Sequence, residues 1–177
     1  MLDVKEKIIR AYKQFIKNDF YLLHVKANER SITHKLAEYL QIEFPEYHVD
    51  CEYNKNKIKE KTVPPWEAKI NELVEELGKQ DTPDKRKKKI KELMENGVSV
   101  YPDIIIHRRG TEDNFIVIEA KKSTNKSGDD EGKLKTYKEY LHYQNAYFIV
   151  FPSERHELRY FWERFDDQLI NELIREI

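Results

Sequence analysis

Two apolar, β-branched runs separated by a short polar turn constrain this chain more than any other feature. "VSVYPDIIIHRR" ends at Arg109, "GTED" follows, and "NFIVIEAKK" starts at Asn114. Runs of this kind joined by a few residues that include Gly read as a β-hairpin. With the turn centred near Thr111, Asp103 falls opposite Glu119. Strand side chains alternate between faces, so Asp103, Ile105 and His107 are expected to share one face with Phe115, Val117, Glu119 and Lys121. The other face then carries Ile104, Ile106, Ile116, Ile118 and Ala120 and is wholly apolar. A slip of one residue would drive a carboxylate into that apolar layer, so the hydrophobic pattern itself selects the register.

Two carboxylates at facing strand positions repel unless a cation lies between them. Hard oxygen ligands with neither thiolate nor a nearby histidine pair suit Mg²⁺ or Mn²⁺ rather than zinc. Lys121, two residues beyond Glu119 on the same face, is placed to orient a water or to neutralise charge developing on a phosphate. The plainer reading is that "EAKK" is a strand end running into solvent and that Asp103 merely starts a strand after Pro102.

Around this hairpin the periodicity predicts helices and further strands. Asp3 to about Asp19 sets Ile8, Ile9, Tyr12, Phe15 and Ile16 at helical spacing, with Asp3 and Glu6 forming a capping box. A second helix starts at the N-cap residue Asn28, with Ile32, Leu36 and Leu40 as its stripe. "YHVDCEY" (47–53) alternates Val49, Cys51 and Tyr53 with polar residues and predicts a strand. Residues 55–97 change character: a lysine-rich stretch precedes "PPWEAKINELVEELG", with Trp66, Ile70, Leu73, Val74 and Leu77 apolar, and then "TPDKRKKKIKELMENG". Pro at the start and Gly at the end of each run predict a helical hairpin, read as an insertion. Beyond the main hairpin come a polar loop, a helix from about Asp130 to His142, a strand "AYFIVF", and one last helix with Leu158, Phe161, Trp162, Phe165, Leu169 and Leu173 towards the core.

Composition sets the outer bounds. A chain of 177 residues fits a single domain, 1–177, with 55–97 as the insertion. Charged residues make up 37% and aromatic residues 12%, a heavily charged surface over enough large side chains to fold. The apolar runs fall short of the roughly 20 residues needed to cross a bilayer, and the N-terminus lacks a signal-peptide pattern, so no membrane is expected and the cytoplasm is the expected location. A lone Cys51 excludes an intramolecular disulfide framework. The net charge of -1 gives no global electrostatic case for nucleic acid. Charge is uneven, however: residues 85–91 hold six cations, whereas 154–177 hold seven acidic residues against four Arg.

Pro102-Asp103, fifteen intervening residues (104–118), then Glu119-Ala120-Lys121 resembles the PD-(D/E)XK nuclease superfamily, with every motif position filled. The resemblance implies a restriction-endonuclease-like α/β fold, a mixed central sheet flanked by helices, here carrying a helical-hairpin insertion. It also implies cleavage of phosphodiester bonds with Mg²⁺ or Mn²⁺ held by Asp103, Glu119 and the backbone carbonyl of Ala120, and Lys121 as the catalytic lysine. DNA is the substrate the likeness favours, RNA being left open, and a homodimer is one arrangement that relatives use. The competing expectation is an inactive nucleic-acid-binding or protein-interaction module that keeps the fold.

Glu29 points nearly the same way as Ile32, Leu36 and Leu40, which puts a carboxylate at the end of a buried stripe, a costly position without a partner. Its plainer role is to interact with the helix dipole. The resemblance implies instead that Glu29 is the helix glutamate that reaches the metal site. Other candidates have equally plain readings. Glu52 is expected on a solvated strand face, Asp130 and Lys133 as a cap and an exposed residue or as substrate contacts, and His107 as a structural histidine. Tyr137, Tyr140 and Tyr143 are expected to pack rather than stack on bases. Lys85, Lys87 and Lys88 would contact phosphates if their helix abuts the cleft, and otherwise form a solvated face.

Overall fold

The computed structural model describes residues 3–56, 59–78, 82–124, 129–163 and 166–177. Its helices are α1 (Val4–Asp19), α2 (Tyr21–His24), α3 (Glu29–Glu43), α4 (Glu67–Gly78), α5 (Pro83–Asn96), α6 (Asp130–Leu141), α7 (Arg155–Glu163) and α8 (Asp167–Leu173). Its strands are β1 (His48–Cys51), β2 (Lys55–Asn56), β3 (Lys59–Glu60), β4 (Thr62–Val63), β5 (Val98–Ser99), β6 (Ile104–His107), β7 (Asn114–Lys122), β8 (Asn145–Phe151) and β9 (Ile174–Glu176).

A five-stranded sheet in the order β1-β6-β7-β8-β9 forms the centre. All its neighbours pair antiparallel except β7 and β8, which are parallel. A parallel pair requires a crossover connection, and α6 supplies it. The expected hairpin register holds along its inner part, with Ile104, Ile105 and Ile106 opposite Ile118, Val117 and Ile116. At His107 the register shifts and His107 faces Asn114. The irregularity moves Phe115 to the face opposite the one expected, where it packs on Phe44 and stacks on Tyr47 with centroids 4.6 Å apart.

Both faces of the sheet are covered. Ile104, Ile106, Ile116, Ile118 and Ala120 are sealed by Ile8, Tyr12 and Phe15 of α1, Ile32, Leu36 and Leu40 of α3, and by Phe161 and Ile170. Each Ile, Leu or Phe among them contributes about 1.5–3 kcal/mol on burial. Tyr12 stacks on Phe151 and donates its hydroxyl to the Val150 carbonyl, 3.1 Å away, tying α1 to β8. On the second face, Ile105, Val117 and Phe148 pack on Leu134, Tyr137 and Leu141 of α6. The face expected to carry the motif residues with Ile105 and Val117 is therefore a second core, with the motif residues at its edge.

Several local expectations change. Asn28 caps α3 as expected, accepting from the Ser31 N–H at 2.8 Å, but Asp3 makes no side-chain cap to α1. Glu52 adopts φ +49°, ending β1, so Tyr53 leaves the alternation and joins the second core. "VSVYPD" is not part of the hairpin strand: Val98 and Ser99 pair with β4, and the main-sheet strand starts only at Ile104, after Pro102. The helical hairpin of the insertion forms as α4 and α5, flanked by the short β2–β5 pieces that its sequence did not predict. Val74 is exposed rather than part of an apolar stripe, and the Leu77 side chain lies outside the described residues. The single C-terminal helix is instead α7 and α8, followed by β9 pairing on β8. Leu158 is buried and Leu169 and Leu173 pack at the core edge, while Phe165 and the Trp162 side chain lie outside the described residues. No helix among the described residues is long and apolar enough to cross a membrane.

Candidate active site

Because β6 starts only at Ile104, the N–H groups of β7 beyond Ile118 that it would have bonded need other partners. Asp103 supplies one: its Oδ2 accepts from the Ala120 N–H at 2.8 Å. A strand residue directs its N–H and C=O to the same side, so the Ala120 carbonyl also points to the edge occupied by Asp103. On the same strand, Glu29 Oε2 accepts from the Lys122 N–H at 3.1 Å. The start of α3 is thereby fixed against the end of β7.

Glu119 is 2% exposed and points to the α6 side. Its Oε2 accepts from Lys133 Nζ at 2.6 Å, whereas its Oε1 is buried without a hydrogen-bond partner. Burial, reinforced by the Asp103 charge, pushes the Glu119 carboxyl up to about 8 despite Lys133. Burial also raises Asp103, with Glu29 adding to the effect and the Ala120 N–H opposing it. Buried like charges in low dielectric account for both shifts.

Lys121 does not pair with either motif carboxylate. Its Nζ lies 3.8 Å from Asp130 Oδ1. Asp130 is not the helix cap; Asp129 is, accepting from the Gly132 N–H at 2.8 Å. Asp130 is 7% exposed, its Oδ2 has no partner, and burial raises its carboxyl although Lys121 and Lys133 oppose the shift. Tyr137 lies one turn beyond Lys133, its hydroxyl also buried and neighbouring Glu119. Burial raises its phenol, and the nearby Glu119 charge adds to the rise. Asp130, Lys133 and Tyr137, spaced three and four apart, share one face of α6. That spacing was visible in the sequence, but what the face meets was not.

These residues border a cleft of about 590 Å³ between α6, α4 and residues 98–101. Lys121 of β7 and Asp129, Asp130, Lys133 and Tyr137 at α6 line it together with Trp66, Lys69, Glu72 and Tyr101. It opens at the carboxyl end of β7, the end at which open α/β sheets place their ligands. The α4 helix, not α5, contributes the insertion's side chains to the lining, and Lys85, Lys87 and Lys88 are exposed on α5. Among the described residues, no three His, Cys, Asp or Glu side chains group closely enough to hold a metal ion. A cation here would rest on Asp103, Glu119 and the Ala120 carbonyl and complete its shell with water or phosphate, as Mg²⁺ commonly does.

The remaining candidates fall elsewhere. His107 Nε2 lies 2.8 Å from Asp50 Oδ2, and Arg109 Nε donates to the same oxygen at 2.8 Å. This network on β1 and β6 holds His107 as a structural residue. Glu52 pairs with Arg30 at 2.7 Å on the surface. Tyr143 is buried like Tyr137, and Tyr140 is exposed.

No family model, curated protein or solved structure matches the chain.

Proposed function

We propose that this chain is a metal-dependent nuclease that hydrolyses phosphodiester bonds in DNA, with a restriction-endonuclease-like arrangement of its central sheet. The observation that carries this reading is the state of Glu119: a carboxylate 2% exposed at the end of β7, held beside a second, partly buried carboxylate, Asp103. A protein retains such a costly arrangement where function needs it. Asp103, Glu119 and the Ala120 carbonyl would hold Mg²⁺ or Mn²⁺, which supplies charge neutralisation and a more acidic bound water. Lys121, steadied by Asp130, would stand against the attacked phosphate, and Glu29, anchored on the Lys122 N–H, would orient water at the strand end. A homodimer would present two such sites to two strands.

The test is cleavage of plasmid, linear, single-stranded and branched DNA with Mg²⁺ or Mn²⁺, comparing wild type with Asp103→Ala and Lys121→Ala. Metal-dependent cutting lost in both variants is the expected result. No cutting of any substrate, together with no metal binding by calorimetry, would overturn it.

One observation favours a second reading. Lys133 already places a cation on Glu119, so the site partly neutralises itself without a metal, as an inactive nucleic-acid-binding module would require. Binding of nucleic acid without hydrolysis is the outcome that distinguishes it.

A further inference from the structure

The cleft that Lys133 lines has aromatic residues that the proposed hydrolysis does not use. Trp66, half-buried at the start of α4, and Tyr101, 57% exposed, line it together with Lys69. Large aromatic groups left open to solvent at the mouth of a cleft lose the benefit of burial, unless a flat apolar ligand covers them. Lys121 and Lys133 also line it, each beside a carboxylate, Asp130 and Glu119 respectively. The cleft thus offers aromatic surface and ammonium groups, which suit the base and the phosphate of a nucleotide, with Glu72, Asp129 and Asp130 in the same lining.

Size narrows the ligand further. About 590 Å³ lies within the range of roughly 300–1,000 Å³ that encloses a small-molecule-sized ligand. A double helix cannot enter such a space, whereas one or two unpaired nucleotides can. A base inside a duplex has its face covered by its neighbours, so reaching Tyr101 or Trp66 requires a single strand or a base taken out of the stack.

We infer that this cleft is a binding subsite for an unpaired nucleotide, its base stacked against Tyr101 and Trp66 and its phosphates facing Lys121 and Lys133. This rests on the nuclease reading for the chemistry performed at Glu119, but the binding itself does not. The substrate class is therefore single-stranded nucleic acid or the unpaired part of a branched one. Base face and phosphate are common to DNA and RNA, so strands of both qualify.

Equilibrium binding tests the inference without any turnover. The full chain is titrated in Ca²⁺ with short fluorescent oligo-dT and oligo-rU strands, a strand of the same length whose bases are removed, and a blunt duplex. The unpaired strands are expected to bind at least about tenfold tighter than the duplex or the abasic strand, because base stacking contributes on that scale per base. Quenching of Trp66 emission should accompany binding and vanish in Trp66→Phe. Tyr101→Ala should weaken the unpaired strands about tenfold and leave the duplex unchanged, with Tyr101→Phe restoring wild-type affinity. Tyr101 is exposed, so its replacement does not threaten folding. Equal or tighter duplex binding, or unchanged affinity in Tyr101→Ala, overturns the inference. Tyr101-dependent strand binding without cleavage of any substrate would refute the nuclease reading alone. Duplex cutting at an undiminished rate by Tyr101→Ala, with no preference for unpaired strands, would refute the subsite alone.

Discussion

Lys133 Nζ lies 2.6 Å from Glu119 Oε2, joining the first turn of α6 to a carboxylate that is 2% exposed on β7. The pair fixes α6 over the end of the parallel β7–β8 pair, and it satisfies only one of the two Glu119 oxygens. Because burial holds Glu119 near 8, the ion pair forms fully only above that pH. Lys133→Met should therefore cost about 3–5 kcal/mol at pH 9, where a buried charge loses its partner. At pH 6 the loss should be about 1 kcal/mol, because Glu119 can stay protonated. Urea denaturation at the two pH values checks this, and equal losses would contradict it.

The same shift governs the pH dependence of the wild-type protein without metal. Glu119 binds its proton more tightly folded, near 8, than unfolded, near the ordinary 4.5. Between those values the native state holds more protons, so stability is fully present below about 4.5 and declines as pH rises towards 8. Asp103 and Asp130, also raised, act in the same direction. Thermal melts from pH 5 to 8.5 in EDTA should show a falling Tm, and Glu119→Gln should flatten the slope.

Metal affinity should follow the opposite course. A divalent cation needs the ionised carboxylate, so Mg²⁺ binding should strengthen by up to about tenfold per pH unit below about 8 and level off above it. Calorimetry should register proton release in the lower range. A pH-independent affinity would place the metal away from Glu119.

Asp130 sits 3.8 Å from Lys121 Nζ and is itself buried, so its role in the proposed reaction is to hold that lysine in place. Asp130→Ala should lower kcat by about 10²-fold with little change in KM, the scale of a catalytic group displaced by about 1 Å. Asp130→Asn, which keeps a hydrogen-bond acceptor, should recover part of the rate. A change confined to KM would make Asp130 a substrate contact instead.

Gly97 ends α5 at φ +73°, and a Cβ there would lie 2.9 Å from the Val63 carbonyl oxygen. Gly97→Ala should destabilise the β4–β5 junction by about 1–3 kcal/mol. Hydrogen exchange should show the loss at 62–63 and 98–99 and leave the central sheet protected.

Much of the architecture could be read in the chain because it depends on local periodicity. The α1 and α3 stripes, the Asn28 cap and the Ile104–Ile106 register all follow from spacing and from the cost of burying a carboxylate in an apolar layer. Sequence did not reveal β9, because a three-residue strand has too little pattern to distinguish it from a helix end. Nor did it reveal the break at Pro102 that sends Val98 and Ser99 to β4, since a β-branched run looks alike whether it pairs in one sheet or two.

The candidate site divides along the same line. By itself the sequence determined that Asp103, Glu119 and Lys121 gather at one end of a hairpin, because strand alternation and a short turn leave little freedom. Only the tertiary structure decided which cation meets which carboxylate. Lys133 takes Glu119 and Lys121 turns to Asp130, a choice set by how α6 crosses over the parallel strands. Only the fold, too, laid α4 across from α6 and brought Trp66 and Tyr101 to the same cleft. Contacts between distant segments depend on the packing of whole elements against one another, and no local spacing encodes that packing.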